Sequence, residues 1–443
     1  MHYLTTSFLV SLDRKPRTPV AQRDTALRTP ENRCPYSDEV VEPVRSLRSI
    51  ALAAYGPTAL GSVGTGAVLP VVVLSARALG AEVSVAAFLL SLIWIAQLAA
   101  DLPSGALAAR IGERRALVAA CAIEAVGMAG CATAPNLVVL GVSLSLLGVA
   151  SSIFGLARQA YLTEAVPIHL RARALSTLGG VNRIGIFVGP FVGALAVTHW
   201  GVGGAYVVGL ISSVAALLCV LVVRDVTSGH ERRRGMPRRS VAAVLGKHRR
   251  TLVTLGVGVL FIGAARACRI ALVPLFADAI GLGAAQTSLV VGIAGAVDML
   301  LFYPAGGVMD RYGRSWVALP SMVVLAVGMA LLPLAHSFAT LTAVAVVLGI
   351  GNGIGAGLVM TLGADASPAD GRVQFLGGWR LMADLGNAAG PAAVSVITVA
   401  FPLGAAAVAM GAAALVGAGW LRVWLPRFAP IPRAPLARGG PSA

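Results

Sequence analysis

The sequence predicts an all-α membrane protein of twelve transmembrane helices arranged as two six-helix bundles. Three observations predict it: the composition, a series of apolar runs of spanning length, and an internal repeat at one fixed offset. Of the 443 residues, 57% are hydrophobic and 12% are charged, where soluble domains carry about 25% charged residues. Mean hydropathy is +0.82. So little polar surface cannot cover a water-soluble globule, and lipid is the solvent that suits such a chain.

Apolar runs of about 20 residues, enough to cross about 30 Å of hydrocarbon, occur twelve times. In the first half they lie at 51–76, 83–108, 115–133, 138–162, 175–198 and 203–223. After a polar break they continue at 252–277, 285–308, 316–334, 340–363, 375–399 and 403–424. Spans of a β-barrel would alternate apolar and polar residues; these runs are continuous, so each is expected to be a helix.

The loops justify the spans in order. Eight Lys/Arg precede residue 50; Arg110, Arg114 and Arg115 follow span 2, Arg171 and Arg173 follow span 4, and nine occupy 224–250. Arg311 and Arg314 follow span 8, Arg372 follows span 10, and four lie from Arg422 onward. The opposite loops hold Arg77 alone. Positive residues mark cytoplasmic loops, so both termini and the central loop are expected in the cytoplasm, with the chain multi-pass in the cell membrane. A missed span would have scrambled this alternation.

The organisation that follows is an N-terminal arm at 1–48, a six-helix bundle at 49–223, a basic linker at 224–250, a second bundle at 251–425 and a tail at 426–443. MHYLTTSFLV is too short and polar for a span, and no cleavage site follows a proper apolar core. The arm reads as a disordered cytoplasmic segment or the product of a misplaced start codon. The run Arg232–Arg234 with Arg238 and Arg239 reads as a solvated segment facing lipid headgroups.

Shifted by 201 residues, the sequence aligns with itself. Pro103, Gly105, Arg110 and Gly112 fall on Pro304, Gly306, Arg311 and Gly313; Gly148, Pro167, Arg171 and Leu175 fall on Gly349, Pro368, Arg372 and Leu376; Glu164 falls on Asp365. Gly185, Gly189 and Pro190 fall on Gly386, Gly390 and Pro391. One offset across loops and spans indicates two halves related by a parallel repeat, as in secondary transporters.

GGVMDRYGR at Gly306–Arg314 resembles the loop signature of the major facilitator superfamily, GxLaDRxGRR, and GALAARIGERR at Gly105–Arg115 is its first-half counterpart. The resemblance covers all twelve spans and implies the superfamily's fold. It implies a conformational gate made by Gly105, Arg110, Gly112, Gly306, Asp310, Arg311, Gly313 and Arg314, in which Asp310 latches the cytoplasmic side across the interface between halves. In the first copy Ala109 sits where the aspartate belongs. The stretch NRIGIFVGPFVGALAV at Asn182–Val197 resembles the GxxxGPxxGA motif of the antiporter branches. Its glycines Gly185, Gly189 and Gly193 line one helix face for tight contact, and Pro190 frees a carbonyl that packed neighbours can tolerate. Gly386, Gly390 and Pro391 repeat the device. A helix hinge is expected at both places, though plain helix packing gives the same pattern.

Charges inside spans are expensive and functional by default. Asp298, Asp384 and Asp101 are candidates for proton coupling, and Arg183, Arg266, Arg269 and Arg380 for the substrate cavity. In the implied fold spans 5 and 8 adjoin, as do 2 and 11. Arg183 is thereby expected to meet Asp298, and Arg380 to pair with Asp384 at i,i+4, with Asp101 beside them. Permanent structural ion pairs are the competing reading. Glu124 is an isolated acid in span 3, Arg158 lies where it can reach headgroups, and Trp94, Tyr161 and Trp379 offer stacking faces or simple packing.

The resemblance implies a secondary transporter, with proton-coupled export of small amphiphilic or drug-like compounds as the leading expectation. An importer or symporter of an organic anion is the alternative, since five intramembrane arginines face four acids. The expected partners are a small-molecule substrate, protons and membrane lipid, acting on a monomer. No cofactor or metal is expected: the five cysteines form no CxxC, and Walker, HExxH and GxSxG motifs are lacking. Enzymatic activity is not expected. Nor is nucleic acid, because the positive residues behind the net charge of +16 alternate between loops and form no patch.

Overall fold

A computed structural model of the chain describes residues 47–166, 171–222, 241–368 and 371–428. The first half contains α1 (Leu47–Ala78), α2 (Val83–Ile111), α3 (Glu113–Ala132), α4 (Leu137–Ala165), α5 (Arg171–Trp200) and α6 (Gly203–Val222). The second contains α7 (Val257–Ala279), α8 (Ala284–Tyr312), α9 (Ser315–Leu331), α10 (Phe338–Ile354), α11 (Arg372–Ala400) and α12 (Leu403–Trp424). Each expected span falls on one of these helices. In hydrocarbon only a helix satisfies its own backbone, which is why continuous apolar runs resolve this way.

Two spans are less regular than expected. Span 10 breaks after Ile354 and resumes as Leu358–Ala366. Span 7 begins with a π-helical turn at Leu252–Gly256. The end of the expected linker is also structured: Val241–Lys247 is a helix whose Val244 and Leu245 pack over Gly371 and Gly378 of the α11 terminus. The rest of the linker from 223 to 240, the arm up to 46 and the tail from 429 lie outside the described residues.

Eleven of the spans qualify by length and hydropathy. The remaining helix, α11, has 29 residues but carries Gln374, Arg380, Asp384 and Asn387, which lower its hydropathy. It is held between α7 and α12 of its own half and α2 of the other. A helix so covered need not be apolar all round.

Within the first half α1 packs on α5 and α6, α3 on α4 and α6, and α2 on α4. In the second half α7 packs on α11 and α12, α9 on α10 and α12, and α8 on α10, which is the same set displaced by six helices. The glycines of α5 let it close on α1. A Cβ on Gly189 would lie 2.5 Å from the Val63 carbonyl oxygen and 2.6 Å from Gly66 Cα of α1. Between halves α2 meets α11 and α5 meets α8, while α1 touches α7 and α8.

The two ends of the bundle differ. At the end formed by the loops near residues 80 and 281, Val71, Val72, Ala76 and Leu90 share one buried core with Leu272, Leu275 and Phe276. There Arg77 Nε donates to Asp278 Oδ2 at 2.8 Å. At the opposite, basic end, the core clusters around Ala108–Ala157 and Tyr161–Leu178 contain first-half residues only. Hydrophobic contact therefore unites the halves at the end away from the basic loops.

Candidate functional site

Two clusters of buried polar residues sit at the two inter-half seams. At the α2–α11 seam, Arg380 Nε lies 3.4 Å from Asp384 Oδ2, the i,i+4 pair that the sequence predicts. Gln97 Nε2 of α2 donates to Asp384 Oδ1 at 3.4 Å. Asp101, one turn beyond Gln97 on α2, accepts from Ser152 Oγ of α4 at 2.7 Å, and its other oxygen is buried with no hydrogen-bond partner. Asp384 is 6% exposed. The Arg380 guanidinium lies over Gly155 of α4, where a side chain would displace it.

At the α5–α8 seam, Arg183 Nη1 lies 3.7 Å from Asp298 Oδ1, and Arg269 Nη2 of α7 lies 3.8 Å from Asp298 Oδ2. Asn352 of α10 donates to Asp298 Oδ2. Arg183 also stacks over the Phe302 ring at 4.3 Å and donates to the Ala356 carbonyl at 3.0 Å. Arg266 of α7 donates to the Gly355 carbonyl. The break in span 10 is thus where two arginines reach backbone carbonyls that an unbroken helix would have used internally. Gly353 allows α10 to close on α8, since a Cβ there would lie 2.7 Å from the Asp298 carbonyl oxygen. Arg266 Nε, Arg269 Nε and Asp298 Oδ1 are buried without a hydrogen bond.

Asp101 therefore joins Asp384 and stands apart from the Arg183–Asp298 pair. Trp379 donates to the Val359 carbonyl at 2.9 Å and stacks on Phe375, and Tyr161 is 5% exposed in a packed cluster. Both serve packing. Arg158 lies over Phe154 of its own helix.

In the signature loops Gly112 and Gly313 have φ of +88° and +99°, values at which a side chain is strained. The tight turn between helices demands these glycines. A Cβ on Gly105 or Gly306 would meet no neighbour within 4 Å, so these gate glycines make no close helix contact in this conformation. Nor does Asp310 cross between halves. Its side chain is 78% exposed and pairs at 3.5 Å with Arg314, which in turn binds Asp365 at 2.9 Å within the same half. Arg311 lies over Tyr312. In the first copy Arg114 donates to the Leu221 carbonyl at the end of α6, where a cation complements the helix dipole.

The hinge residues also pack within their own half. Gly185, Gly189 and Gly193 face Ala59–Ala67 of α1, and Gly386 and Gly390 face Leu260 and Ala264 of α7. Both α5 and α11 run unbroken through Pro190 and Pro391.

Gln97, Ser152, Asn352, Phe302 and the Arg77–Asp278 pair did not stand out in the sequence. The 201-residue offset was the signal for several of them: it places Gln97 on Asp298, Asp101 on Phe302 and Arg77 on Asp278. An apolar groove of about 410 Å³ between α2 and α4, lined by Leu89, Leu92, Leu137 and Val142 among others, contains none of the charged residues.

Solved structures with the same architecture include a D-xylose-proton symporter, 17% identical with a TM-score of 0.67, covering 86% of this chain and 98% of that one. A POT family transporter in complex with 5-aminolevulinic acid is 12% identical with a TM-score of 0.68, covering 86% of this chain and 96% of that one. A nucleoside transporter is 16% identical with a TM-score of 0.67, covering 85% and 98%. These likenesses fix the fold, and their different substrates leave the cargo open. The sequence profile described as Major Facilitator Superfamily matches residues 53–265 and 255–442, both halves of the molecule. With twelve helices in two repeated halves and that match along nearly the whole helical region, the chain belongs to the major facilitator superfamily.

Proposed function

We propose that the protein is a proton-coupled exporter of small amphiphilic compounds, working by alternating access with both termini in the cytoplasm of a cell whose plasma membrane it spans. The observation that carries this reading is a pair of acids at the α2–α11 seam: Asp384 is buried against Gln97, and Asp101, one turn further along α2, keeps a buried oxygen with no hydrogen-bond partner. A second acid at the same buried seam disfavours the charged form of each, so the two together are suited to carry a proton. The pair spans the surface along which the halves must slide, so rocking changes its solvent access and its partners. By the positive-inside rule the basic end is cytoplasmic, and the molecule, joined at the opposite end, is in an inward-facing form. The antiporter-like stretch in α5 supports the outward direction of cargo. Rigid seams at Gly189 and Gly390 keep each bundle intact as it moves. The gate of Asp310 and its loop partners closes in the alternate state, when α8 and α2 approach the opposite half.

Everted membrane vesicles test this. With a respiration-driven gradient reported by an acridine dye, exported compounds from a panel of amphiphiles dissipate the gradient in the wild type. Asp384→Asn and Asp101→Asn, inserted at normal levels, lose that effect. Undiminished dissipation by both variants removes the pair from proton coupling. Uptake driven along with protons in the opposite sense would replace export by the symport reading.

A further inference from the structure

We propose that the transported compound carries an oxyanion, a carboxylate or a phosphate, which docks among Arg266, Arg269 and Arg183 where α5, α7, α8 and α10 converge. The inference rests on the transport reading and names its substrate class. Arg183 comes from α5, Arg266 and Arg269 from α7, and Asp298 from α8, with Asn352 contributed by α10. Among the described residues that face this point, three guanidiniums meet a single carboxylate. Its two ion pairs, at 3.7 and 3.8 Å, are longer than a charge-assisted hydrogen bond.

Donors are left over. Arg266 and Arg269 each keep a buried Nε–H with no acceptor. Buried polar groups are nearly always satisfied, and an unpaired one points to a missing partner. A guanidinium fork is shaped for carboxylate and phosphate oxygens, which accept two of its N–H groups at once.

The fold itself has no need of these charges. The first half builds the equivalent helix seam with Thr65 and Val68 at the positions that match Arg266 and Arg269. Two arginines placed in the interior of one half only, beside an acid too small to neutralise all three cations, have a local purpose. Asp298, fixed by Asn352, lies between Arg183 and Arg269 and sets their spacing. Phe302, under Arg183, offers an apolar wall to the rest of an amphiphilic molecule.

Matched probes test the proposal on the purified full chain in detergent, with tryptophan-monitored melting as the readout. The panel comprises 4-phenylbutyrate and phenyl phosphate, their neutral counterparts 4-phenylbutanamide and benzyl alcohol, and the cation benzyltrimethylammonium. The anions are expected to raise the melting midpoint and the neutral and cationic members to leave it unchanged. Which anion does so separates carboxylate from phosphate. Arg269→Gln weakens the anion effect by about tenfold to a hundredfold, the loss of one charged hydrogen-bond donor. Asp298→Asn strengthens it, because the resident competitor is gone. Equal stabilisation by neutral or cationic probes, no stabilisation by either anion, or unchanged anion binding in Arg269→Gln overturns the proposal. The wild-type comparison decides by itself if a variant fails to fold. Since no gradient is present, anion binding that persists in Asp384→Asn while vesicle transport fails separates this inference from the coupling assignment.

Discussion

Placing a methyl group on Gly189 tests the packing of the first bundle where α5 meets the backbone of α1. The new carbon would lie 2.5 Å from the Val63 carbonyl oxygen and 2.6 Å from Gly66 Cα, all backbone. Ordinary contact between such atoms begins at about 3.5 Å, so α1 and α5 must part by about 1 Å along the seam. Overpacking of this kind costs about 1–3 kcal/mol. At about 2–4 °C per kcal/mol for a unit of a bundle's size, Gly189→Ala should lower the melting midpoint in detergent by about 2–12 °C. Gly179→Ala and Gly180→Ala, on the same helix with nothing within 4 Å, should melt as the wild type or slightly above it, alanine being the better helix former. Gly390→Ala, whose Cβ would lie 2.5 Å from the Ala264 carbonyl oxygen, should repeat the loss in the second bundle. If Gly189→Ala melts together with Gly180→Ala, the α1–α5 seam is not where the structure puts it.

Two further outcomes follow from the inter-half contacts. Arg77 and Asp278 are about a third exposed, so their pair contributes about 0.2–1 kcal/mol; Arg77→Asp should shift spin-label distances between α1 and α7 toward the outward-open state, and the swap with Asp278→Arg should reverse the shift, whereas identical distances in all three would show that the pair gates nothing. Gln97→Leu removes the α2 donor to Asp384 but leaves both carboxyls, so proton-driven transport should persist with an altered pH dependence; complete loss would mean that Gln97, rather than the acid pair, carries the coupling.

Much of the fold was legible in the sequence because lipid simplifies the code. A segment such as α6, or α12 as far as Arg422, is long and apolar enough to be read as a span, so span number and order follow without any knowledge of packing. The ion pairs were legible where one helix holds both partners, as with Arg380 and Asp384, or where the repeat and the resemblance brought two helices together, as with Arg183 and Asp298. What could not be read was which neighbour a residue faces. Gly185, Gly189 and Gly193 announce a tight contact, but only packing shows that α1 is the partner. Asp101 could join either seam until the rotation of α2 was known. Asp310 has the right sequence for a latch, yet its contact depends on which end of the molecule is closed, a choice between two states of one sequence. The break at Gly355–Gly357 depends on Arg266 and Arg183 reaching in from distant helices.

The repeat gives the two seams a common geometry and different chemistry. Displacement by 201 residues carries Gln97 and Asp384 onto Asp298 and Arg183, so the same approach of helices that offers an amide to an acid in one seam offers an acid to an arginine in the other. Beside the first lies Asp101; at the equivalent place beside the second lies Phe302. On the proposed reading the first seam holds the proton and the second an organic anion. Segregation has an energetic consequence. A proton moving in and a monovalent anion moving out both carry positive charge inward, so one exchange moves two elementary charges. At about 2.3 kcal/mol per charge per 100 mV, an inside-negative potential of about 100 mV contributes about 4.6 kcal/mol per cycle, about three orders of magnitude in the substrate ratio. Proteoliposomes carrying a valinomycin-set potassium potential, with no pH difference, should therefore drive export of an anionic substrate and reverse it when the potential is inverted. Transport indifferent to the potential would require a cycle that moves no net charge, such as a neutral cargo with no proton or a proton exchanged for a monovalent cation, and would separate the two seams from the roles their residues suggest.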